Sequence, residues 1–153
     1  MSIDYLVGSL PTLAFGQKPA LDWAAFEAAC GEHGVPEPAA WRNLETQLRN
    51  AMAEARGGAK WRRPAEGCSL YWRNRVLAAF QEKDIARRDE LLDRVWWDAA
   101  GELTPCDAPL SRGALATYAV RLRIALRRAA ISESVGNAAF DRLTAETKLD
   151  GMI

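Results

Sequence analysis

Residues 111–131 read SRGALATYAVRLRIALRRAAI. At 100° per residue, Leu115, Tyr118, Leu122, Leu126 and Ala129 fall on one stripe of a helix. Val120 and Ile124 lie on the opposite side, and Arg121, Arg123, Arg127 and Arg128 flank them. Such a helix is expected to be buried on two sides, with guanidinium groups at the edges of the buried surfaces. Ser111 is placed to cap it. A helix with two apolar faces needs helices on both sides, which predicts an all-α class and a single helical bundle.

Outward from this segment, the same periodicity predicts five to six helices over residues 1–153. One starts after the N-cap Asp22, carries Trp23, Phe26 and Cys30, and ends at Gly34. A second opens near Pro38 and runs to about Arg56, with Trp41, Leu44, Leu48 and Met52 on one face. Ser69 caps a third, to about Lys83, with Val76, Leu77 and Phe80 inward. Asp84 caps a fourth, to about Leu103, with Ile85, Leu92, Val95, Trp96 and Ala99 on one face. Ser132 or Ser134 is expected to start a separate last helix carrying Val135, Ala139, Phe140 and Leu143, ending by Lys148. Residues 1–19 read as an irregular leader packed on the bundle. Gly8, Pro11 and Gly16 break it, while Leu10, Leu13 and Phe15 pin it down. Residues 57–68 form a basic loop. A split there would leave halves too small to be stable alone, so one domain is expected.

Composition supports helices and narrows the chemistry. Alanine occurs 28 times against 17 for valine, isoleucine and threonine together, which disfavours sheets. The 20 basic and 20 acidic residues cancel, so no global charge argues for nucleic acid or an anionic membrane. Cys30, Cys68 and Cys106 form no CxxC pair and His33 is the only histidine, so no metal site is expected. An odd number of cysteines, without a signal-like start or a long apolar run, reads as free thiols in a cytoplasmic protein. There is no nucleotide-cradling glycine motif, and no catalytic residue or cofactor is assigned.

The residues that stand out suit protein contacts. Trp97 lies on the polar side of its helix, among Glu90, Asp93 and Arg94. Either another element covers it or it anchors a partner. Arg121, Arg127 and Arg128 sit in a stretch from Pro109 to Ser132 with no acidic residue. Either Asp89, Glu90, Asp93, Glu133 or Asp141 neutralises them, or they meet an acidic partner. Trp61 and Arg63, with Lys60 and Arg62, form a second aromatic and basic patch in the loop: either a stacking and charged contact site, or a loop whose Trp61 tucks back onto the bundle. Trp23, Trp41, Trp72 and Trp96 are expected in the core.

The stretch Tyr5-Leu6-Val7-Gly8-Ser9-Leu10-Pro11-Thr12-Leu13-Ala14-Phe15-Gly16-Gln17-Lys18-Pro19, followed by Phe26 and Cys30, resembles the opening of a bacterial family. Leu122-Arg123-Ile124 and Phe140-Asp141-Arg142-Leu143 are similar to that family's basic helix and closing turn. The family is the one catalogued as domain of unknown function 2764, typically encoded in V/A-type ATPase operons. The resemblance implies a non-enzymatic accessory or central-stalk-like protein whose partners are V/A-type ATPase subunits. Two other readings stay open. One is a nucleic-acid accessory protein using Lys60, Trp61, Arg62, Arg63 and the arginine-rich helix. The other is a small-molecule enzyme using helix-borne carboxylates such as Asp89 and Asp93.

Overall fold

The computed structural model describes residues 1–36 and 39–150, and the side chains of these other than 59, 133–140 and 146–150. Among the described residues there are six α-helices and no strand: α1 (Ile3–Ser9), α2 (Trp23–Cys30), α3 (Ala39–Ala55), α4 (Leu70–Ala79), α5 (Ile85–Ala100) and α6 (Arg112–Asp150). Short 3-10 turns follow α2 and α5, and a third falls at Ala59–Trp61. The four N-caps expected from the sequence all form. Asp22, Ser69, Asp84 and Ser111 accept from the backbone N–H of Ala25, Trp72, Ala86 and Ala114. Each satisfies a donor that has no partner within its helix.

Three apolar clusters make the core. The first joins Leu44, Leu48 and Ala51 of α3 to Trp72 and Val76 of α4 and Val95 and Ala99 of α5. The second joins Leu6 of α1 and Phe26 and Cys30 of α2 to Leu115, Ala119 and Leu122 of α6. The third sets Trp97 of α5 against Ile124 and Ala125 of α6. The clusters are continuous. Trp96 packs against the first and third, and Leu13 against the second and third. Helix α6 is thus buried on two sides, as its sequence predicts. Trp72 is buried, while Trp23, Trp41 and Trp96 are half-buried against the core. Thr117, buried in α6, donates its hydroxyl to Ala100 O at 2.8 Å and ties α6 to the end of α5. Close approach there requires Gly113, where a Cβ would collide with Leu103 O and lie 2.9 Å from Pro105 Cδ.

Two expectations are corrected. The leader is not irregular throughout, because residues 3–9 are helical. Ser2 accepts from Tyr5 N at 3.3 Å and Asp4 lies in the first turn, both favouring a helix start. Ile3, Leu6, Val7 and Leu10 pack at helical spacing on the α6 cluster, so burial outweighs the cost of Gly8. The second correction concerns the end of the chain. No separate last helix starts at Ser132 or Ser134, since α6 runs unbroken for 39 residues. Serine and glycine cost a helix only about 0.5–1 kcal/mol each, and no proline interrupts this run. The expected first-turn place of Pro38 lies outside the described residues, as does the expected face of Val135, Ala139 and Phe140.

Candidate interaction surfaces

The stretch between α1 and α2 crosses α5 and α6 as a strap. A turn closed by Gln17 N–H to Ala14 O, with Gly16 at φ 84°, aims Phe15 inward. Phe15 meets Trp97 edge to face, with ring centres 5.6 Å apart. The guanidinium carbons of Arg94 and Arg128 lie 5.1 and 5.3 Å from the Phe15 ring centre. Tyr118 Oη donates to Pro11 O at 2.6 Å and fastens the strap to α6. Trp97 is consequently only 6% exposed. Of the two alternatives the sequence left open for it, cover by another element is the one that forms.

The three arginines assigned to a partner surface all have partners within the chain. Arg121 Nε donates to Trp97 O at 3.0 Å, and its guanidinium carbon lies 5.5 Å from the Trp97 ring centre. It thereby caps a carbonyl in the last turn of α5, where a cation is favoured. Gly101 leaves room for this, since a Cβ there would lie 3.0 Å from Arg121 Nη2. Burial pulls the Arg121 pKa below its ordinary value. Arg127 and Arg128 both donate to Asp93, Arg128 at 2.7 Å. Burial raises the Asp93 carboxyl above its ordinary pKa, against the hydrogen bond from Arg128 and the charge of Arg127. Asp89 lies 3.7 Å from Arg128 Nη1. Of the carboxylates named in the enzyme reading, Asp93 is thus paired with two arginines and Asp89 lies beside one of them.

The basic loop is held from below by one face of α3. Asn43, Gln47 and Asn50 are spaced i, i+4, i+7, and each pairs with loop backbone. Asn50 donates to Arg63 O and accepts from Arg63 N, both at 2.8 Å. Asn43 does the same with Glu66, at 2.9 and 2.6 Å. Gln47 donates to Glu66 O at 2.8 Å and accepts from Ser69 N at 3.0 Å. Three amide side chains thus treat the loop as a neighbouring strand would. Above this clamp Arg62 pairs with Glu54 at 2.9 Å, and Arg73 also donates to Glu54. Trp61 stays 72% exposed, with Lys60 Nζ 5.4 Å from its ring centre. Among the described residues, Lys60 and Arg63 have no ion-pair partner. Arg127 is also exposed but is paired with Asp93, so Trp61 and Arg63 are the assigned contact residues that lie outward without an ion pair within the described residues.

An amide trio at helical spacing was visible in the sequence as a pattern. Its target, a backbone 13–23 residues away, was not. Among the described residues, no His, Cys, Asp and Glu gather in a group of three or more that could hold a metal ion. Within the same limits, no helix is long and apolar enough to cross a membrane. Comparison with known protein families, curated proteins and solved structures finds no match.

Proposed function

We propose that this chain is a non-enzymatic, cytoplasmic accessory or central-stalk-like component of a V/A-type ATPase, acting through protein contacts. The observation that carries the reading is the resemblance of the Tyr5-to-Pro19 leader to the family encoded in such operons. The leader's residues serve the fold, through Leu6, Leu13, Phe15 and the Pro11 carbonyl. The contact is accordingly assigned to Trp61 and Arg63, outward on a clamped loop. Aromatic and arginine side chains of this kind are the ones whose loss costs an interface most, often 2 kcal/mol or more. The test is affinity capture of co-expressed V/A-type ATPase subunits by the tagged chain. Trp61→Ala and Arg63→Ala are expected to weaken capture about tenfold or more while the melting temperature stays within a few degrees. Absence of capture by the wild-type chain would refute the assignment.

The exposed Trp61 beside Lys60 and Arg63 also fits a second reading, stacking on single-stranded nucleic acid. That reading requires binding to mixed DNA or RNA that falls steeply with salt. No binding at low salt removes it.

A further inference from the structure

A groove unconnected with the leader or the basic loop opens where the ends of α3 and α4 meet the start of α5. It encloses about 630 Å³, and Ala55, Leu77, Phe80 and Leu92 give it apolar walls. Two guanidinium groups share the Phe80 ring, with Arg56 and Arg88 lying 5.5 and 5.3 Å from its centre. Arg88 is held there by Nε and Nη2, which donate to Glu82 O at 3.0 and 2.8 Å. Among the described residues neither arginine has an ion-pair partner. The acidic residue at the groove, Asp89, faces Arg128 at 3.7 Å instead. Ile85 stands on the rim at the first position of α5 and is 78% exposed. A β-branched apolar residue gains nothing there from helix propensity or from burial.

We propose that this groove docks an amphipathic helix of a protein partner. That helix places a leucine-sized side chain against Phe80 and Ile85, and carboxylates one turn to either side against Arg56 and Arg88. Charge complementarity selects the carboxylates, since Arg88 is held on Glu82 O, Arg56 lies over the same ring, and neither charge is matched among the described residues. Among the described residues the groove offers side chains of three helices and the turns between them and no strand edge, which suits a helix that satisfies its own backbone and needs only side-chain contacts. The inference goes beyond the ATPase reading and does not depend on it.

The probe is a fluorescein-labelled alanine-based peptide of about 18 residues, long enough to hold a helix. It carries leucines at i, i+4 spacing flanked by glutamates. The full chain is expected to bind it saturably, with affinity falling as salt rises. The same peptide with lysine in place of glutamate should bind at least about tenfold more weakly. Arg56→Gln with Arg88→Gln, and separately Ile85→Ser, should each weaken binding by a similar factor. Ile85→Ser is the check on folding, because so exposed a side chain can be changed with the melting temperature unmoved. Failure of the wild-type chain to bind, equal binding of the two peptides, or unchanged binding by Ile85→Ser would each overturn the proposal. A concentration-dependent dimer that Ile85→Ser abolishes and the peptide cannot displace would also overturn it, assigning the groove to a second copy.

Discussion

Trp97 shows how one residue acquires a role from its surroundings. Its indole lies under Phe15, its carbonyl accepts from Arg121, and two further arginines close over Phe15. Trp97→Ala is expected to cost about 3–5 kcal/mol, the range for truncating a buried large aromatic. A melting temperature within a degree of wild type would show the strap to be loosely seated. Gly113 makes a sharper case, since the collision with Leu103 O involves backbone that cannot rotate away. Gly113→Ala should destabilise by about 1–3 kcal/mol, as overpacking does, despite alanine's better helix propensity. Equal or greater thermal stability of the variant would contradict that contact. Glu54 gives a pH signature. The hydrogen bond and charge of Arg73, with the charge of Arg62, hold its pKa below the ordinary carboxylate value. A carboxylate with a depressed folded pKa contributes stability above its unfolded pKa, and that contribution fades as pH falls through the folded value. Glu54→Gln should therefore be less stable than wild type at neutral pH, with the gap closing as pH drops below about 4. Chemical melts across that range measure it, and a gap independent of pH would show that the ion pairs contribute nothing.

Among the elements, the amide face of α3 governs the loop above it. Asn50→Ala removes both bonds to Arg63 and should speed hydrogen exchange at the Arg63 amide while leaving the α4–α5 amides protected. Unchanged exchange at Arg63 would mean that the other two amides suffice. Helices α2, α4 and α5 were legible because cap and periodicity agree at each, and α3 because its apolar positions recur at helical spacing. Helix α1 was hidden by Gly8 and by proline and glycine just beyond it, although Ile3, Leu6, Val7 and Leu10 carry helical spacing. The continuity of α6 was hidden by Ser132, Ser134 and Gly136, which resemble a boundary but cost too little to make one. Of the contact residues, Trp61 and Arg63 were legible as an aromatic and basic patch, while the outward orientation of Trp61 was not. Trp97 was not separable from a buried residue, because a residue on the polar side of one helix can still be covered by a distant strap, and the arginines' partners Asp93 and the Trp97 carbonyl lie on another helix. The Phe80 groove left no local mark, as its two arginines come from the turn after α3 and from α5.

For the molecule as a whole, α6 sets the dimensions. Its 39 residues span about 58 Å at 1.5 Å per residue. A compact chain of this length has a radius of gyration near 15 Å. Small-angle scattering should accordingly give a maximum dimension of at least about 58 Å, and a clearly smaller value would show that α6 bends back.

The two-sided burial of α6 also imposes an order on biosynthesis. The cluster of α3, α4 and α5 is complete within one continuous stretch, from Leu44 to Ala99. The cluster around α1 and α2 is not, because Leu6, Phe26 and Cys30 close on Leu115 and Leu122. On the ribosome, at about 5–20 residues per second, the amino-terminal apolar side chains emerge roughly 5–20 seconds before the residues that cover them. During that interval the middle of the chain already holds all the partners of its own cluster, while its beginning stays adhesive. The nascent protein thus offers chaperones and neighbouring polypeptides a hydrophobic handle that the finished molecule no longer displays.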